Sequence, residues 1–206
     1  MRDESYMRIH KHRCKALTLV ELLVVIAVGV MVFGLILQIF ISTNRAADKD
    51  TTRSTMAQEA SLIAQQVEQA LQGYRVELTA QQINPEFTPE RLTFIALQFQ
   101  PDSTARTVTL MNQVQDNHNR IVEVTVSIPE AVDKKRETNI LGLKEELIDT
   151  SILFEYATQI EDLTPVWQGE ISVTEIPLLI KYTITVKDVR NRVKPLVITS
   201  TVRVLQ

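Results

Sequence analysis

The chain has 206 residues, 45% of them hydrophobic, with 22 Lys/Arg against 25 Asp/Glu and a single cysteine, Cys14. One cysteine excludes an internal disulfide framework. Beyond residue 16 there are 17 basic and 23 acidic residues, net −6, so the body exerts no long-range attraction on a polyanion such as DNA.

Residues 1–16 form a basic leader with five Lys/Arg and two Asp/Glu, and a start at Met7 would make it wholly basic. Residues 17–41 follow as 25 residues carrying one charge, Glu21. A secretory signal core has ~7–15 apolar residues, so this run is too long for one. It suits a membrane span, which needs about 20 residues. The basic leader would stay cytoplasmic and the remainder would be exported. A carboxylate within such a helix costs ~2.5–3.5 kcal/mol at the bilayer centre and therefore asks for a partner. A cut between Ala16 and Leu17 would supply one. The new Leu17 amine would lie four residues from Glu21, one helical turn away, in its own chain or in a neighbouring helix.

The stretch "KALTLVELLVVIAV" resembles the class III signal of type IV prepilins and type II secretion pseudopilins. The resemblance implies cleavage after Ala16 by a prepilin peptidase, N-methylation of Leu17, and a role for Glu21 in placing the subunit in a filament. Ala16 departs from the family's usual Gly, and the helix lacks the proline that many members carry. Gly29 and Gly34 lie five apart and do not form a GxxxG pair.

After residue 41 a polar stretch gives way to apolar positions at helical steps: Met56, Ala60, Ile63, Val67, Ala70 or Leu71, and Tyr74. Gly73 is a stop signal. The spacing predicts one helix over 17–72, roughly 84 Å long, with its second half packed on a sheet. The period then changes to two. Residues 91–99, 105–114 and 120–128 read as strands. In the third, Val122, Val124 and Val126 are expected inside and Glu123 and Thr125 outside. Residues 129–150 read as a charged loop with one short helical turn. Strands resume at 151–157, 176–186 and 195–205, the last two as a hairpin with Ile180, Tyr182, Ile184 and Val186 on one face.

Residues 153–188 resemble J-type minor pseudopilins through Phe154, Tyr156, Trp167 and Pro177. Taken as core positions, Trp167 would anchor the interior and Pro177 would open a strand. The expectation is a pilin-like α+β fold, a long N-terminal transmembrane spine helix packed on an antiparallel β-sheet domain. Its parts are a leader (1–16), a transmembrane half (17–41), an amphipathic half (42–73) and a β-rich body (74–206).

Catalytic signals are missing from the sequence. His10 and His12 lie in the leader, and His118 falls in a polar turn read as solvated. Asp48, Asp50, Glu145, Glu146 and Asp149 read as solvated charges, and "DNHN" lacks the acids and glycine of a calcium loop. No catalytic residue, metal or cofactor is expected. The resemblance implies a structural minor pseudopilin of a type II secretion pseudopilus. The alternative is a minor pilin of a type IV pilus or DNA-uptake filament, for which Arg190, Arg192 and Lys194 would be the local basic patch. Implied partners are the prepilin peptidase, other pseudopilins or minor pilins, the inner-membrane assembly platform and membrane lipid, with no nucleic acid.

Overall fold

The computed structural model describes residues 18–73, 86–97, 105–127, 136–143, 147–172, 175 and 177–204. The leader, Ala16, Leu17, Tyr74, Glu145 and Glu146 lie outside the described residues. The chain divides into two units after Ala47.

A single helix, α1 (Leu19–Gln72), runs through both. In the first unit its residues from Leu19 to Ile41 are exposed and, Glu21 and Gln38 apart, apolar. By length and hydropathy α1 is able to cross a membrane. In the second unit it buries Met56, Glu59, Ala60, Ile63, Val67 and Leu71, a stripe at steps of three and four that faces the sheets. The helix ends at Gln72, immediately before Gly73.

Ten strands follow. β1 (Glu86–Thr88), β2 (Arg91–Leu97), β3 (Ala105–Gln115), β4 (His118–Ser127) and β5 (Arg136–Ile140) form an antiparallel five-stranded sheet in chain order. β6 (Ile148–Ala157), β9 (Leu179–Asp188) and β10 (Leu196–Arg203) form a second antiparallel sheet in the order β10-β9-β6. A small ribbon, β7 (Ile160–Glu161) with β8 (Thr164–Pro165), sits between β6 and β9 in the chain. The result is a pilin-like α+β fold, a long N-terminal apolar helix packed against antiparallel sheets.

The β9–β10 hairpin follows its alternation. Ile180, Tyr182, Ile184 and Val186 are fully buried, while Leu196, Ile198 and Val202 line the same side. The two sheets meet along β6. The Asn112 side chain accepts from Ile152 N–H at 2.8 Å and donates to Ile152 C=O at 2.9 Å, and Phe154 N–H donates to Pro89 C=O at 2.8 Å. Phe87 and Tyr156 pack edge to face at 5.4 Å, and the Tyr156 hydroxyl donates to Thr88 C=O.

Two expectations are corrected. The stretch read as a charged loop contains β5 and the start of β6. β5 is an edge strand with four exposed residues and so carries no apolar alternation. In β4 the faces are not divided into apolar-in and polar-out. Glu123 and Thr125 line an open cavity against the end of α1, and Val122 and Val124 are buried on the opposite face.

Candidate functional site

Thr18 immediately precedes α1, and Glu21 is the third helical residue. Thr18 N–H donates to Glu21 Oε2 at 2.9 Å, and the Thr18 hydroxyl donates to the same oxygen at 3.0 Å. Glu21 N–H in turn donates to Thr18 Oγ1 at 3.3 Å. This is a reciprocal capping box, which satisfies donors that a helix start leaves without intrahelical partners. A carboxylate in the first turn also complements the helix dipole. Glu21 therefore has a local role in starting the helix before any neighbour is considered. The signal was the T-x-x-E spacing itself, overlooked while the acid was treated as an isolated charge.

The prokaryotic N-terminal methylation motif matches residues 11–37, a span that includes the Ala16–Leu17 junction, the capping box and about the first five turns of apolar helix. Over those residues the chain is similar to type IV pilin-like proteins. Neither characterised proteins nor solved structures give a match.

A pilin-like subunit is structural and not enzymatic, and the motif implies processing by a prepilin peptidase. An apolar helix of membrane-spanning length that carries this motif points to an inner-membrane anchor before assembly.

In the pilin-like body, residues read as solvated are instead paired. His118 Nδ1 lies 3.0 Å from Asp149 Oδ1, tying the start of β4 to β6. Arg192 is not a free cation. Its Nη1 donates to Asp48 Oδ1 and Oδ2 at 3.0 and 3.1 Å, and its Nε and Nη2 donate to Asp188 at 3.0 Å each. Asp48 is thus an anchor point on α1 for the β9–β10 loop, while Asp50 is exposed, as are Arg190 and Lys194. Trp167 is not a core anchor. It is half-buried, with Lys181 Nζ 5.3 Å from its ring centre. Phe154 and Tyr156 are fully buried, and Pro177 is buried two residues before β9 begins.

A cavity of about 540 Å³ lies between the end of α1 and the five-stranded sheet, lined in part by Gln66, Gln69, Arg106, Glu123, Thr125 and Asn139. Burial pushes the Glu123 carboxyl above its ordinary value. Among the described lining residues there is no His, Cys or Ser, and no cluster of metal-ligating side chains occurs among the described residues.

Two polar residues within the helical stripe escaped the sequence reading. Glu59 Oε2 accepts Leu143 N–H at 2.6 Å, and Gln66 Oε1 accepts Gly142 N–H at 2.9 Å. Together they fix the segment after β5 onto α1. Glu59 sits at a stripe position, so its i+4 neighbour Ile63 was the available hint.

Proposed function

We infer that the chain is a structural minor pseudopilin of a type II secretion pseudopilus. In this reading the prepilin peptidase cuts between Ala16 and Leu17 and methylates the Leu17 amine. Residues 17–41 hold the subunit in the inner membrane with the leader in the cytoplasm and the body in the periplasm. The assembly platform then draws the helix into a bundle with those of other pseudopilins, where the Glu21 carboxylate meets a neighbour's N-terminal amine.

The observation that carries the choice of machine is Arg192. A DNA-uptake subunit needs a cluster of exposed cations, yet the central guanidinium of the candidate patch is held by Asp188 and Asp48, which leaves Arg190 and Lys194 alone exposed there, within a body of net −6. Support also comes from the buried Phe154 and Tyr156 of the J-type pattern.

The test is deletion of the gene with complementation, measuring exported proteins in the medium together with surface pili and DNA uptake. Loss of export with pili and uptake intact is the expected result. Loss of pili or uptake with export intact would assign the chain to a type IV pilus or competence filament instead. The mass of the protein's N-terminal peptide from native membranes checks the processing independently, with N-methyl-Leu17 expected.

A further inference from the structure

Five non-glycine residues among those described have φ in the left-handed region: Asp116, Asn117, Asp162, Leu163 and Asn191. Four are Asp or Asn, which tolerate that region through short polar side chains that bond locally. Leu163 is the exception, at φ 65°. The β7–β8 ribbon joins Glu161 to Thr164 through a two-residue loop with both central φ values positive, as a type I′ turn requires. That turn is best served by Gly at the second position, and the β3–β4 turn of the same kind uses Asp116–Asn117.

Leu163 is also 96% exposed, so its side chain gains nothing within the chain. Ile160 and Val166, on the two arms of the ribbon, are 53% and 37% exposed. The ribbon does not need Leu163 to hold its shape. The Thr164 hydroxyl donates to Glu161 C=O at 2.7 Å, and Val166 N–H donates to Gln159 C=O at 3.2 Å. A leucine placed against both backbone preference and solvation, at the tip of an otherwise self-sufficient ribbon, is accounted for by a contact outside the chain.

The charge around it identifies the occupant. Glu161 and Asp162 are exposed beside the apolar tip. The nearby cation Lys181 is ion-paired with Glu155 at 2.5 Å. An acidic collar repels an anionic lipid surface and matches a basic rim. We propose that the β7–β8 ribbon is a docking knob: Leu163, flanked by Ile160 and Val166, enters an apolar socket rimmed by Lys/Arg on a partner protein. The knob is independent of which filament machine the chain serves.

The test places a photo-crosslinking phenylalanine at Val166 of the full-length chain in the cells that make it, and varies Leu163. With Leu163 present, a discrete protein adduct is expected. Leu163→Gly, which relaxes the turn, should lower its yield about tenfold or more. Leu163→Met should retain the adduct, and Glu161→Lys should weaken it. The melting temperature of purified full-length Leu163→Gly and Leu163→Asn in detergent should be unchanged or higher. An adduct indifferent to Leu163→Gly, an adduct to lipid, or no adduct would overturn the proposal. So would a lowered melting temperature in both variants, which would make the leucine a structural residue.

Discussion

Arg192 grips a fully buried carboxylate, Asp188, through Nε and Nη2 at 3.0 Å each, while its own backbone N–H donates to Asp188 Oδ2 at 2.7 Å. The remaining nitrogen, Nη1, reaches Asp48 on α1. One planar guanidinium thus closes the β9–β10 loop and ties it to the helix, a geometry that the point charge of lysine does not reproduce.

Removing one partner of a buried pair leaves the other charge uncompensated. Asp188→Asn is therefore expected to lower the melting temperature by on the order of 5–10 °C. Arg192→Lys should recover only part of the stability lost in Arg192→Ala. The Arg192 side chain, with backbone N–H bonds assisting, holds the Asp188 carboxyl below its ordinary value. A depressed folded value gives stability that is complete above the unfolded value of about 4 and is lost as pH falls through the folded one. Acid unfolding followed by circular dichroism should show this loss in the native chain and lack it in Asp188→Asn.

Gly142 adopts φ 94°, and a Cβ there would run into the buried Glu59 carboxylate. Both the backbone and the neighbour reject a side chain. Gly142→Ala should destabilise by about 3 kcal/mol, measured by denaturant unfolding of the full-length protein. Pairing it with Glu59→Gln should not restore stability, because the glutamine occupies the same volume.

The apolar periodicities were readable because burial alone sets them. Met56, Ile63 and Val67 recur at helical steps, and Ile180, Tyr182 and Ile184 alternate, so the helix and the β9–β10 hairpin follow from the residues themselves. What stayed hidden depends on partners distant in the chain. β5 is polar because it is an edge strand, and only its pairing with β4 makes it a strand. His118 reads as solvated until β6 brings Asp149 to it, and Arg192 reads as a free cation until Asp188 and Asp48 converge on it. The face of β4 was misassigned because both faces bury valine or isoleucine, so alternation of hydrophobicity does not tell which one meets α1. At the helix start the information was local, in Thr18 and Glu21.

Tyr182 tests the helix–sheet interface from the alkaline side. Its hydroxyl donates to Glu68 Oε1 at 3.0 Å, and the Ser200 hydroxyl donates to the same oxygen at 3.2 Å. Burial, reinforced by the Glu68 carboxylate, pushes the phenol up to about 12. A raised folded value means that stability is complete below the unfolded value of about 10 and is lost as pH rises from there toward 12. Phenolate absorbance should show a late-ionising tyrosine that is missing from Tyr182→Phe. Tyr182→Phe should cost about 1 kcal/mol at neutral pH and reduce the alkaline loss of stability.

Glu21 has two separable jobs, the observed cap on α1 and the proposed charge pairing between subunits, and glutamine distinguishes them. A capping box accepts Gln in place of Glu, so Glu21→Gln keeps the hydrogen bonds with Thr18 and removes the charge, whereas Glu21→Ala removes both. Loss of the cap costs about 1 kcal/mol of helix stability, which is small beside the driving force for inserting the apolar segment. Both variants should therefore be cleaved after Ala16 and methylated on Leu17, read by the mass of the N-terminal peptide. If the carboxylate pairs with a neighbour's amine, both should fail alike to enter the filament, measured as subunit recovered in sheared or crosslinked assemblies. If Glu21→Gln assembles at the native level and only Glu21→Ala fails, the cap accounts for the acid and the pairing proposal falls.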